Sequence, residues 1–184
     1  MGGFSGSMTN FFLGIALSGN SGLRASVPLF LASIMSLTSD SINISSDMSW
    51  LSTPTFAVCM GIFMAVEIIL DKIPGIDHVL HVVMSVIHPI AGAVASIAPD
   101  YGGGWYARVP VLAFGSALAL IIFLGRALLR VMSSGGTCGA CNPFVSCFED
   151  VLVFILVPVC ILVAFFSVSR MRVFLSCFYL FGRK

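Results

Sequence analysis

The chain has 184 residues, of which 58% are hydrophobic and 9% charged, with a formal net charge of +1. An ordinary soluble domain has roughly a quarter of its residues charged, so a chain this apolar, with a mean hydropathy of +1.06, has too little polar surface to cover a water-facing core. The charge balance supplies neither a basic field for nucleic acid nor an acidic tail, and composition points to an all-α integral membrane protein with the lipid bilayer as its solvent.

Met1–Asn10 carries no Lys or Arg, so no cleavable secretory signal is expected. A myristoylation motif would need Ser or Thr at the sixth position, where Gly6 stands. A helix crosses the hydrocarbon core with about twenty apolar residues, and on that measure the chain reads as one transmembrane helical domain over residues 1–184 with about five segments. The first, Phe11–Leu37, is interrupted by Ser18-Gly19-Asn20-Ser21-Gly22 and followed at once by Arg24, which reads as two half-helices around a break. The second, Pro54–Leu70, ends at Asp71-Lys72-Ile73-Pro74-Gly75, where charge, Pro and Gly stop a helix. The third, Ile76–Ala98, contains His88-Pro89, and Pro89 should kink it by removing a backbone donor. The fourth, Trp105–Leu124, is expected to leave the membrane through Arg126 and Arg130. The fifth, Phe144–Val168, has Glu149-Asp150 near its start and Pro158 inside, and the apolar tail Val173–Phe181 is too short to span.

Basic residues favour the cytoplasmic side. The loop Thr38–Ser49, with Asp40 and Asp47 and no basic residue, should be translocated, leaving Lys72, Arg126 and Arg130 together on the other side. Five full spans would put Arg170, Arg172, Arg183 and Lys184 on the wrong side, so the first or last segment is expected to be broken or re-entrant. Asn43-Ile44-Ser45 is a glycosylation triplet in the loop expected to be translocated, a triplet also common by chance.

Charged groups at membrane depth cost roughly 2.5–3.5 kcal/mol on insertion scales, and so face a bundle interior or a watery cavity. Glu67 and Asp71 lie one helical turn apart on one face. Asp77, His81, Met84 and His88 recur at steps of four, three and four, one stripe of a helix, with His78 off to the side. A carboxylate and imidazoles facing one way suit a proton relay or cation path, since His titrates near neutrality. The plainer reading is histidines bonded to backbone or Ser groups of a tight bundle. His88 is about 10 Å along the axis from His81, so no single metal site holds all three, and one would have to recruit Glu67, Glu149 or Asp150; no metal or cofactor is expected. Arg24, just past the Gly break, sits where unwound backbone and a half-helix N-terminus offer donors to an anion.

A Gly-containing loop also precedes the Pro-bearing start of the fifth segment at Gly139–Val145, so the two breaks could mark an inverted repeat. Small residues that let helices approach closely explain Gly and Pro equally well. Four of the six Cys, namely Cys59, Cys147, Cys160 and Cys177, fall in apolar runs where Cys packs as a small hydrophobe. Cys138-Gly-Ala-Cys141 has the spacing of a redox pair or half a zinc site, with no second ligand pair following. No nucleotide loop, Ser-His-Asp order, zinc motif or dinucleotide fingerprint is present, which leaves no catalytic residue to name.

Three stretches carry a resemblance: Gly22-Leu23-Arg24-Ala25 with Pro28-Leu29; Asp71-Lys72-Ile73-Pro74-Gly75-Ile76-Asp77 with His88-Pro89-Ile90-Ala91-Gly92-Ala93; and Asn142-Pro143-Phe144-Val145-Ser146 with Glu149-Asp150-Val151. From Gly22 to about Val163 the chain resembles a small polytopic membrane-protein family of unknown function with bacterial and eukaryotic members. The resemblance implies a helical membrane fold and no established activity; the Cys138 and Cys141 pair and the Arg-rich tail depart from the family's pattern. The leading expectation is a transporter or permease-like protein for an ion or small solute, its path lined by Glu67, Asp71, Asp77, His81, His88, Glu149 and Asp150. The alternative is a non-catalytic structural or assembly subunit whose small-residue helices dock on other membrane subunits or on a second copy.

Overall fold

The computed structural model describes residues 2–38, 44–71, 77–102, 104–137, 144–160 and 162. Among these residues there are helices α1 (Gly2–Ser21), α2 (Ser26–Thr38), α3 (Pro54–Leu70), α4 (Asp77–Ile97) and α5 (Trp105–Thr137), a 3-10 segment (Ser46–Ser52) and no strand; α6 covers 144–160. Lys72, Asp40, Asn43, Cys138, Cys141, the end of the fifth segment and the tail Val173–Phe181 with its basic residues lie outside the described residues, as does the break at 139–143.

The first segment is not one interrupted span. Ser7 Oγ donates to the Tyr101 carbonyl at 2.6 Å, which puts the start of α1 beside the α4–α5 connection. The chain after α2 is at that same end: Ser45 N–H donates to the Ala98 carbonyl at 2.9 Å and Ile44 pairs with Pro99 in an isolated bridge. Helices α1 and α2 are therefore antiparallel, joined by a turn at Gly22–Ala25 pressed against α5. A Cβ on Gly22 would lie 2.5 Å from the Ala119 carbonyl oxygen and 2.7 Å from Ile122 Cβ, so only glycine lets the turn approach this closely.

Helix α3 begins with Thr53 as N-cap, its hydroxyl accepting from Phe56 N–H at 3.3 Å, and with Pro54 in the first turn, where its missing N–H costs nothing. The 3-10 segment and α3 together are long and apolar enough to cross a membrane if taken as one span, bent by 61°. By length and composition Leu80–Ile97 of α4 and Trp105–Met132 of α5 also qualify, so the described residues hold two candidate spans, or three with the bent pair. Among the described residues five spans are not confirmed: α2 has 13 residues, and the first segment folds back, one of the arrangements expected for it. Helix α4 continues through Pro89 without a break.

Helix α5 runs on to Thr137, well past Leu124. Arg126 and Arg130 do not mark its exit from the bundle: they lie on the inward stripe Gly115, Ala119, Phe123, Arg126, Arg130, spaced by four, four, three and four as one helix face requires. Helices α4 and α5 cross at small residues. Gly92 and Ser96 of α4 meet Gly115 and Ala119 of α5 so closely that a Cβ on Gly92 would lie 2.4 Å from Ala119 Cβ. Leu13, Leu17, Val27, Leu29, Ala95, Val153 and Val157 form an apolar core between α1, α2, α4 and α6. The outward faces are apolar as well: Val58 and Ile62 of α3, Val82 and Val86 of α4 and Ile121 and Leu128 of α5 are each more than 60% exposed. Such faces are consistent with a membrane location.

Candidate functional site

Residues from the α1–α2 turn and from α3, α5 and α6 converge on a buried cluster of charges. Asp71, just past the end of α3, is its hub. Arg24 Nη2 donates to Asp71 Oδ2 at 2.8 Å, Arg130 donates to both Asp71 oxygens at 2.8 and 2.7 Å, and Ser146 Oγ of α6 donates to Oδ2 at 2.7 Å. Arg126 Nη2 stands 3.6 Å from Oδ1. Glu149 takes the other side of the α5 arginines, 3.1 Å from Arg126 Nε and 2.6 Å from Arg130 Nη2. Asp150 pairs with Arg24 at 2.5 Å.

These groups also complete the backbone of the α1–α2 turn. A helix end leaves unpaired carbonyls, and a helix start leaves unpaired N–H groups. The Leu23 carbonyl accepts from Arg126 Nη1, and the Ser21 carbonyl from His88 Nδ1 at 2.5 Å. The Glu67 carboxylate accepts from the N–H groups of Ala25 and Ser26 at 3.3 and 3.4 Å and from the Ser26 hydroxyl. The donors expected to receive an anion at this half-helix start are thus taken by a carboxylate of the chain itself. Carboxylates are favoured there because the N-terminal turn carries partial positive charge.

Three guanidinium groups (Arg24, Arg126, Arg130) face four carboxylates (Glu67, Asp71, Glu149, Asp150). Asp71, Glu149 and Asp150 each hold an arginine nitrogen at 3.1 Å or less. Glu67 does not: its nearest guanidinium nitrogen is Arg24 Nη1 at 4.0 Å. A crevice of about 190 Å³, its mouth included, opens beside the cluster and is lined by Arg24, Glu67, Asp71, Leu80, His81, Met84 and Arg126.

Of the residues expected along a polar path, Glu67, Asp71 and His81 line this crevice, and Glu149 and Asp150 stand behind it in the cluster. The expected stripe on α4 does face inward, with Met84 and His88 buried. His88 lies deeper than the crevice wall, its ring 4.7 Å from that of Phe123, on which His81 also packs at 5.7 Å. Asp77 opens α4, but its side chain lies outside the described residues. Sequence reasoning missed Arg126, Arg130, Ser26 and Ser146 as parts of the site. The three-and-four spacing from Gly115 through Arg130 was the signal that places both arginines on the packed face.

A smaller cluster marks the opposite end. Arg108 Nη1 donates to Asp47 at 2.8 Å and Nη2 stands 3.5 Å from Asp100. Burial pushes the Tyr101 phenol above its ordinary value, opposed by the Arg108 guanidinium and reinforced by Asp100. Exposed Trp50, Trp105 and Tyr106 surround this end, as aromatic residues do at a membrane–water boundary. Arg126 is about 31 Å further along α5 than Trp105, close to the thickness of a hydrocarbon core.

No curated protein and no solved structure matches the chain. A family model described as a domain of unknown function, DUF4126, matches residues 11–184. That match takes in the turn at Arg24, the hub at Asp71 and the α5 and α6 arms of the charge cluster, and the chain belongs to this family of domains of unknown function.

Proposed function

We propose that the chain is an integral membrane protein that passes an ion or small solute, with the crevice between the α1–α2 turn, α3, α4 and α5 as the polar part of its path. One observation carries this reading: charged side chains are buried around a crevice in a bundle whose outer faces are apolar. Apolar packing of similar volume would stabilise such a bundle as well as ion pairs or better, since desolvating each ion costs several kcal/mol. Charges kept in the interior of a membrane bundle mark ion or substrate pathways.

In this reading the α1–α2 turn and the start of α6 supply the groups that a passing ion meets, because Arg24 of the first and Ser146 of the second both bond Asp71. Helices α4 and α5, locked together at Gly92, Ser96, Gly115 and Ala119, form the fixed wall. Purified protein in liposomes should show ion- or pH-dependent flux that Glu67→Gln and His81→Ala change. Absence of flux, with wild-type behaviour of cells carrying both substitutions, overturns the proposal. Co-purification at fixed stoichiometry with another membrane protein, together with no flux, would replace it by the assembly-subunit reading.

A further inference from the structure

The two ends of the bundle differ. At one, Trp50, Trp105 and Tyr106 are exposed around the group of Arg108 with the half-exposed Asp47 and Asp100. Rings with an apolar body and a polar tip settle at the headgroup level of a bilayer. The charge cluster and its crevice lie toward the other end, with Arg126 about 31 Å from Trp105 along α5. Between the ends, the outward faces of α3, α4 and α5 are apolar, a band that fits acyl chains.

The crevice stops short of the aromatic end. Of the α4 residues that line it, Met84 lies furthest from the start of the helix, and it is buried. One turn further on, His88 is fully buried with its ring against Phe123. From there α4 runs about 14 Å to Ile97 through a seam where three helices meet backbone to backbone. Ser96 is the common point, because a Cβ on Gly14 of α1 or on Gly115 of α5 would overlap it. A Cβ on Gly92 would overlap Ala119 in the same way. Leu17, Ala95 and Ala98 are wholly buried and belong to the apolar core that α1 and α4 share. Packing this close excludes water.

Basic residues are retained on the cytoplasmic side of a membrane protein. Among the described residues Arg24, Arg126 and Arg130 stand at the crevice end and Arg108 at the aromatic end. We propose that the crevice opens to the cytoplasmic face only, and that the seam of α1, α4 and α5 at Ser96 closes it to the opposite face, where the aromatic end sits among lipid headgroups. This rests on the reading of the crevice as part of a path, and names the side from which an ion enters it and the barrier it then meets.

The test is thiol labelling in membrane vesicles of both orientations, made from cells that produce the full chain with its native cysteines replaced by alanine. Each variant carries one new cysteine: Met84→Cys or His81→Cys in the crevice, Ser96→Cys in the seam, or Gly104→Cys at the aromatic end, where an added Cβ meets nothing within 4 Å. A small, charged, membrane-impermeant methanethiosulfonate should label both crevice positions from the cytoplasmic side only and Gly104→Cys from the opposite side only. Ser96→Cys, close to the native side chain in size, should stay unlabelled from either side until the protein is denatured. Labelling of the crevice from the opposite side, or from both, overturns the proposal, as does labelling of Ser96→Cys in folded protein. Two crevice positions that resist the reagent from both sides, in vesicles where Gly104→Cys reacts, overturn it as well. Labelling reads access and not flux, so the two readings fail separately. One-sided labelling without flux in liposomes leaves the closed seam and sinks transport; flux with a crevice labelled from both sides does the reverse.

Discussion

Arg130 on α5 meets Asp71 at the end of α3 through two parallel hydrogen bonds, Nη1 to Oδ1 at 2.8 Å and Nη2 to Oδ2 at 2.7 Å. Both side chains are at most 5% exposed, so neither partner could find water if the other were removed. Asp71→Asn would leave Arg24, Arg126 and Arg130 facing a neutral amide. Breaking a buried pair in this way costs about 3–5 kcal/mol. Removing the opposite partner as well should cost less than the sum of the single changes, because the second substitution removes the stranded charge. Thermal unfolding of Asp71→Asn, Arg130→Gln and the double variant checks this, and additive losses would contradict it.

The glycines of α5 and α4 separate into two kinds. A Cβ on Gly92 would lie 2.4 Å from Ala119 Cβ and 2.8 Å from the Gly115 carbonyl oxygen, whereas a Cβ on Gly125 meets nothing within 4 Å. Gly92→Ala must push the helices apart, at a typical overpacking cost of about 1–3 kcal/mol. Gly125→Ala meets open space in a helix interior, where alanine is favoured over glycine by about 0.5–1 kcal/mol. Opposite shifts in unfolding temperature are expected in detergent. Equal shifts would mean that the crossing is looser than these contacts require.

Much of the helical plan is legible from apolar runs and their stops. Thr53-Pro54 and Asp71 bound α3, and Trp105 opens α5 where a start is expected. What stays hidden is the pairing of the α5 arginines. Local sequence cannot show that Asp71 and Glu149, 55 and 19 residues away from Arg126 and Arg130 respectively, will neutralise them. The break between α1 and α2 is legible, and a re-entrant first segment is one of the arrangements that the basic residues leave open. Gly22 signals a break, but the direction of the returning chain depends on Glu67, His88 and Arg126 satisfying its backbone from three other helices. The inward face of α4 was readable from its own period, since it requires no knowledge of a partner.

At the far end, Arg108 bonds Asp47 at 2.8 Å, but the Asp47 side chain is 54% exposed. Water screens such a pair, and exposed ion pairs contribute about 0.2–1 kcal/mol. Asp47→Asn should therefore lower stability by less than about 1 kcal/mol, with the difference shrinking in high salt. The contrast with Asp71→Asn is the informative quantity: if the two cost the same, the charge cluster is not the dry, tightly paired structure described above.

His88 tests how the α1–α2 turn is held. Its Nδ1 reaches the Ser21 carbonyl at 2.5 Å, and an oxygen can only accept, so Nδ1 carries the proton and the neutral ring is the Nδ1–H tautomer. Nitrogen NMR on histidine-labelled protein should report that tautomer at this residue. His88→Phe keeps an aromatic ring against Phe123, 4.7 Å away in the native packing, but leaves the buried Ser21 carbonyl without its donor. The loss should be about 1–3 kcal/mol, the cost of one unsatisfied buried polar group. His88→Asn places an amide nitrogen near the position of Nδ1 and should recover part of that loss despite losing the ring contact. If Phe is tolerated better than Asn, ring packing rather than the hydrogen bond secures the turn, and the bond to Ser21 does not hold α1 against α4.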